Sequence, residues 1–326
     1  MRIAVLGCGS IGRRHIKNLH GLGYRDLLAF DPDLGARRKT ESLLEGPMAS
    51  NLEEVWRGAP EVALVTATTE VHVDLAMAAV DHGCHLFIEK PLYHVLQPQL
   101  TELLRRVAER KLVNMCACNM RFHPGPKNVK ALLDEGSIGQ VLSARLQTGS
   151  YLPRWQADQD YLARYSASPE WGGAILDCIH EIDLALWYFG SARVLGSAML
   201  PAQSIGLETD GLAEILMRHR TGVLTSVHVN FVQRDYSRSC QIVGSKGSVY
   251  WDFNDGQVKV YGEDGCLTRC IREPQGWQLN QMYVDELEHF LQAVELRGPT
   301  TNPISGGVEA LELALTVKSG EVQTLA

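Results

Sequence analysis

No apolar run in this sequence approaches the roughly 18 residues of a membrane-spanning helix, which excludes helical integral membrane proteins. The N-terminus, "MRIAVLGCGS", breaks its apolar run at a glycine, too early for a signal peptide. Basic residues are not in excess: 31 Lys and Arg stand against 38 Asp and Glu, a net charge of −7. A nucleic-acid binder would show a basic excess or a basic stripe. None of the eight cysteines forms a C-x-x-C pair, so zinc-ribbon and thioredoxin-like sites are excluded. Cys116 and Cys118 in "MCACN" read instead as small buried hydrophobes on one face of a strand. Internal repeats and low-complexity tracts are missing as well. These absences imply a reduced, cytoplasmic protein with no metal, and with neither nucleic acid nor membrane as a partner.

What is present is an ordinary globular composition. The chain has 326 residues, 45% hydrophobic and 21% charged, enough for about two domains. Its first half carries the stronger signals. A strand at Ile3 to Leu6 runs into Gly7-Cys8-Gly9-Ser10-Ile11-Gly12, and a helix follows with Ile16 and Leu19 on its inner side. This is G-x-G-x-x-G in the strand-to-helix context that gives the pattern its meaning. Gly7 permits the tight turn, Gly9 lets the backbone approach a pyrophosphate, and Gly12 lets helix and strand pack closely. Ser10 and Ile11 supply backbone at the positive end of the helix. A second strand in "DLLAFDPD" ends at Asp31, 19 residues after Gly12, where a carboxylate accepts bonds from the adenosine ribose of NAD. Arg37 and Arg38 stand close enough in sequence to keep NADP open as an alternative.

Strands and helices then alternate through "EVALVTATT", "VHVDLAMAAVDHG", "HLFIEKP", "LQPQLTELLRRVAERK" and "LVNMCACN". Such alternation builds a parallel sheet with helices on both faces, and ligands bind at the carboxyl ends of its strands. Thr66, Thr68 and Thr69 end one of these strands, and Glu89 and Lys90 end the next. Pro91 restricts Lys90 to extended backbone. Asn119 closes the following strand and joins the candidate cofactor contacts.

After "NMRFHPGP" the rhythm changes, and the boundary falls near Phe122, giving domains 1–122 and 123–326. A helix over about Lys127 to Glu135 leads to a strand, "VLSARLQTGSYL". A polar and aromatic segment follows, holding Tyr151, Arg154, Trp155, Tyr161, Arg164, Tyr165 and Trp171. Its rings suit a sugar and its guanidinium groups suit a carboxylate or phosphate. One helix is expected over "AILDCIHEIDLALWYFG", with Ile175, Ile179, Ile182, Leu186 and Phe189 as its apolar stripe and Asp177, His180 and Glu181 on the other side. Mainly strands follow, then two helical segments near Gln281 to Leu296 and Val308 to Ser319 that could pack back on the first domain. The expected class is α/β: an N-terminal Rossmann domain with a doubly wound parallel sheet, and a C-terminal α+β domain with an open, mainly antiparallel sheet.

The chain resembles the glucose–fructose oxidoreductase, inositol dehydrogenase and MocA family (Gfo/Idh/MocA) over nearly its whole length. The resemblance rests on "GCGSIG" with "AFDPD", on "EKPL", on "NMRFHP" and on "GGAILDCIHEIDLALWYFG", in that order. It implies NAD or NADP in the first domain, and substrate contacts and subunit packing in the second, as a homodimer or homotetramer. It also implies hydride exchange with a secondary hydroxyl of a sugar-like small molecule. The family's catalytic lysine maps to Lys90, and its later Asp and His map to Asp177 and His180. Arg121 in "NMRFHP" joins the expected substrate contacts, with Lys90 and His180. Many members place three residues between that Asp and His, whereas "DCIH" has two. Two other readings share these residues: a glycosidase that uses bound NAD transiently, and a non-catalytic NAD(H) sensor.

Overall fold

The computed structural model describes residues 1–155 and 160–320, which divide into two units. One comprises Met1–Asn119 and Leu279–Val308; the other comprises Met120–Gln278 and the chain from Glu309.

The first unit runs β1 (Ile3–Leu6), α1 (Ser10–Gly21), β2 (Leu27–Phe30), α2 (Leu34–Glu41), α3 (Leu52–Arg57), β3 (Val62–Val65), α4 (His72–Asp81), β4 (His85–Glu89), α5 (Pro98–Glu109) and β5 (Asn114–Ala117). All residues of β1, β3 and β4 are buried. That is why these strands read as continuous apolar runs: a parallel sheet is covered on both faces. The order is β2-β1-β3-β4-β5 and every pairing is parallel. The direction of winding reverses between β1 and β3, which opens a crevice at their carboxyl ends.

The second unit holds α6 (Pro124–Asp134), β6 (Val141–Tyr151), α7 (Ala174–Asp177), α8 (His180–Phe189), β7 (Ala192–Pro201), β8 (Asp210–His219), β9 (Leu224–Asn230), β10 (Val232–Gly244), β11 (Gly247–Asp252), β12 (Gln257–Tyr261) and β13 (Leu267–Arg272). Its sheet has the order β13-β12-β11-β10-β6-β9-β8-β7, antiparallel except where β6 meets β9. Alternation sends Ala144, Leu146, Val227, Val229, Val249 and Trp251 inward, under α6 and α8. The other face carries Arg145, Gln147, His228, Gln241, Tyr250 and Lys259. The open face is mixed: Leu216, Leu224 and Val243 lie exposed among these polar residues, while period-two patterning puts most of the aliphatic residues on the helix-covered side.

Two helix expectations need correction. α6 starts three residues early: Pro124 takes the first helical position, where its missing N–H costs nothing, and His123 is the N-cap. The single helix expected through His180 is two, because Cys178 leaves helical geometry at ψ 31°. α8 is not amphipathic either: all its residues except Trp187 are buried, which makes it a core helix. The last elements are α9 (Gln281–Leu296) and α10 (Ile304–Lys318). α9 packs on α1 and β5 within the first unit. No helix of the described residues is long and apolar enough to cross a membrane.

Candidate active site

The glycine turn is shaped by contacts that leave no room for side chains. Gly7 has φ +100°, and a Cβ there would lie 2.3 Å from the Ala67 nitrogen. A Cβ on Gly12 would lie 2.0 Å from the Gly7 carbonyl oxygen. At Gly9 the same construction meets nothing within 4 Å among the described residues, which leaves open space where a ligand's phosphates would approach. Gly9 is also the N-cap of α1 and offers no side chain to its first-turn N–H groups. Those groups, from Ser10, Ile11 and Gly12, suit an anion. Asp31 follows β2 directly. Its Oδ2 accepts from the Cys8 N–H at 2.6 Å and its Oδ1 from the Asp33 N–H at 2.8 Å. The carboxylate thus ties the second strand to the glycine turn and keeps further lone pairs for hydroxyl donors. Burial, with the Asp31 charge, pushes the Cys8 thiol up to about 12, so it is inert. These residues fit the adenosine and pyrophosphate of NAD. Thr66 stands behind the turn: its buried hydroxyl donates to the Gly7 carbonyl at 2.6 Å. Thr68 donates to Glu70 at 2.6 Å, and Thr69 is buried. Asn119 is buried at the last position of this stretch of the unit.

β4 ends on Glu89, and Lys90 follows it at the carboxyl edge of the same sheet. The Glu89 carboxylate is buried. Its Oε1 lies 2.8 Å from His15 Nε2 of α1, and its Oε2 accepts from the Lys90 N–H at 3.2 Å. The Lys90–Pro91 peptide is cis, and Lys90 itself is half-buried. Beyond it, the Pro91 carbonyl oxygen lies 3.1 Å from His72 Nδ1, whose Nε2 lies 3.0 Å from the Ala67 carbonyl oxygen. Burial holds His72 below the ordinary histidine range.

In the second unit, Asp177 closes α7 and His180 opens α8; both are buried. Asp177 accepts from the Ser166 hydroxyl at 2.7 Å and from the Tyr165 hydroxyl, so it anchors the aromatic segment. Two buried ion pairs hold the first turn of α8. Glu181 lies 2.8 Å from Arg238 of β10, and Asp183 takes both arms of Arg121 at 2.7 and 2.8 Å. Acidic groups there also complement the helix dipole. The Arg121 guanidinium is thus engaged with a carboxylate of its own chain. Other candidates are likewise engaged locally. Tyr161 donates to the Ile205 carbonyl at 2.9 Å, and Trp155 to the Ser150 hydroxyl at 2.9 Å. Arg154 donates to the Arg234 carbonyl at 3.1 Å, and the Arg234 guanidinium stacks 3.8 Å from the Tyr151 ring. Among the described residues no cluster of His, Cys, Asp and Glu could hold a metal ion.

Residues 1–117 match the family model described as the oxidoreductase family with an NAD-binding Rossmann fold, and residues 127–250 match that of the GFO/IDH/MocA C-terminal domain. The chain belongs to the Gfo/Idh/MocA family. Curated relatives include an inositol 2-dehydrogenase of Rhizobium meliloti, 24% identical over 322 residues that cover 96% of this chain and 94% of the relative. A levoglucosan dehydrogenase of Pseudarthrobacter phenanthrenivorans is 26% identical over 291 residues, covering 76% and 74%. Among solved structures, a levoglucosan dehydrogenase in complex with NADH superposes with a TM-score of 0.87 over 100% of both chains at 17% identity, a likeness of fold. Within this Gfo/Idh/MocA chain, sequence reading passes over His15, His72, Arg238 and Asp183. His15 does carry a signal: it sits beside Ile16 on the inner side of α1, a histidine on an apolar face.

Proposed function

We propose that this protein is an NAD-dependent dehydrogenase acting on a secondary hydroxyl of a sugar, sugar acid, nucleotide sugar or cyclitol, or on the matching ketone. The observation that carries the reading is in the first unit: an open glycine turn, the Asp31 carboxylate and Lys90 all lie at carboxyl ends of one parallel sheet. NAD, when bound, supplies the hydride acceptor. Ser10, Ile11 and Gly12 would hold its pyrophosphate and Asp31 its ribose hydroxyls, with a carboxylate that repels a 2′-phosphate and so favours NAD over NADP. Lys90 donates to the reacting oxygen and stabilises the charge that develops on it. His180 accepts the proton released in oxidation, a role suited to imidazole near neutral pH. Asp177 positions Tyr165 and its segment, whose rings, with Tyr151, Trp155 and Tyr161, suit a sugar face. The protein acts as a homodimer or homotetramer.

The test is a panel of myo-inositol, levoglucosan, aldonic acids and UDP-sugars with NAD, followed by NADH absorbance. NADH formation with at least one polyol or sugar is expected. Aryl-glycoside cleavage without net NADH would point to the transient-NAD glycosidase instead. NAD(H) binding with no turnover on any member of the panel would overturn the enzyme reading in favour of a sensor.

A further inference from the structure

We propose that His15, on the first helix after the glycine turn, is a positioning residue for Lys90 and acts through Glu89; this rests on the reading of Lys90 given above. His15 is fully buried and Phe87 packs edge-on against its ring, centroids 5.1 Å apart. Phe87 and Glu89 share a strand face, since side chains alternate, so both meet α1. Among the described residues His15 Nδ1 has no hydrogen-bond partner, whereas Nε2 faces the Glu89 carboxylate at 2.8 Å. A proton on Nδ1 would be buried without an acceptor, which is costly, so the proton sits on Nε2 and His15 donates. The second carboxylate oxygen accepts the Lys90 N–H, just beyond Glu89, the last β4 residue paired with β5. Rotation of the Glu89 carboxylate would therefore release the lysine backbone, and the His15 bond is what prevents that rotation. On the far side of Lys90, His72 faces the Pro91 carbonyl. α1 connects β1 to β2 and α4 connects β3 to β4, in opposite directions along the sheet. Right-handed crossovers then put the two helices on opposite faces. The Glu89-Lys90-Pro91 stretch is gripped from both faces by buried imidazoles, and His15 holds the side that carries the carboxylate.

The experiment reads Lys90 itself. Trace acetic anhydride labels the protein with and without NADH, and peptide mass spectrometry gives the acetylation rate of Lys90. NADH is set for each variant at about 20 times that variant's own dissociation constant, so that about 5% of sites are free and protection can reach about twentyfold. In wild type, NADH is expected to protect Lys90. His15→Asn places its amide too short to reach Glu89 and is expected to lose most of that protection, with NADH affinity within about threefold of wild type. His15→Gln extends a donor to the Nε2 position and is expected to restore protection, and His15→Leu, which keeps the volume, to behave as His15→Asn. If either His15→Asn or His15→Leu fails to fold, the other carries the comparison with His15→Gln. Full protection in His15→Asn and His15→Leu overturns the proposal, as does loss of protection in His15→Gln or loss of NADH binding in His15→Asn. If wild-type Lys90 shows no protection, the reading of Lys90 beside the nicotinamide fails first, and this proposal falls with it.

Discussion

A lysine that ends a strand is ordinarily a solvated charge. Lys90 is half-buried, and both of its chain neighbours are tied to histidines. Lys90→Ala is expected to lower turnover on an identified substrate by about a hundredfold or more while NAD binding, measured by calorimetry, stays near wild type. Near-normal kcat would remove Lys90 from the chemistry. If His180 is the base, as proposed, it must be neutral to accept a proton, so the oxidation rate should fall on the acid side. His180→Asn should lower kcat and abolish that acid-side ionisation from the pH–rate profile; a profile unchanged from wild type would place the base elsewhere. Glu181, next in the chain, has a structural part that its place on a helical wheel does not reveal. Its carboxylate is buried against Arg238, whose own charge burial disfavours but the carboxylate sustains. Removing one partner leaves the other charge buried and unpaired, so Glu181→Gln should cost about 3 kcal/mol of stability in urea unfolding. A loss under about half of that would show the pair to be replaceable.

The N-cap of α6 shows how one element responds to pH. His123 is fully buried among Trp251, Phe253 and Trp277, and its Nδ1 accepts from the Gly125 N–H at 3.1 Å. Its Nε2 lies 3.6 Å from Glu273, a carboxyl that burial keeps raised. Burial, helped by the Arg238 charge, pushes the His123 pKa down to about 4 from its ordinary 6.5. The unfolded chain takes up this proton below pH 6.5, while the folded chain resists until about 4. Stability from this group is therefore complete above pH 6.5 and declines as pH falls, by about 2 kcal/mol at pH 5. His123→Asn keeps a cap acceptor and removes the titration. Its loss of stability between pH 7 and pH 5 should be smaller than that of wild type by about this amount; equal losses would assign the acid sensitivity to other groups. The α7–α8 break belongs to the same scale. Neither proline nor glycine marks it in "ILDCIH", and the interruption lies where Asp177 is held by Tyr165 and Ser166.

At the scale of the molecule, the face of the second sheet turned away from α6 and α8 is the candidate subunit interface. Arg145, Gln147, Gln241, Tyr250, Lys259 and Tyr261 line a groove of about 700 Å³ on it. Association through such a face would join polar and aromatic contacts to the exposed Leu216 and Leu224, with Tyr250 and Tyr261 edge to face at 5.5 Å as an anchor of the kind interfaces favour. Light scattering at micromolar concentration should find a dimer or tetramer, and Tyr250→Glu should shift it toward monomer. A wild-type monomer rejects the assembly, and an unaffected Tyr250→Glu oligomer moves the interface off this sheet.

The features legible in sequence are those whose physics is local. A glycine turn between a strand and a helix, a carboxylate 19 residues on, and a lysine closing a buried strand each depend on contiguous backbone and on strand-end topology. They are readable because alternation, turn chemistry and the parallel sheet constrain one another. The partners that fix those side chains are different. His15 meets Glu89 across 74 positions, Arg121 meets Asp183 across 62, and Glu181 meets Arg238 across 57. Pattern alone assigns Glu181 and His180 to a polar helix face, because a charged residue's default is water. The long-range pairings make burial affordable for those charges, so α8 becomes a core helix. The sequence by itself determined the dinucleotide fold and its lysine. Only tertiary contact decided which polar residues brace that lysine and which hold the α8 helix, since a buried charge or imidazole is defined by the partner that satisfies it.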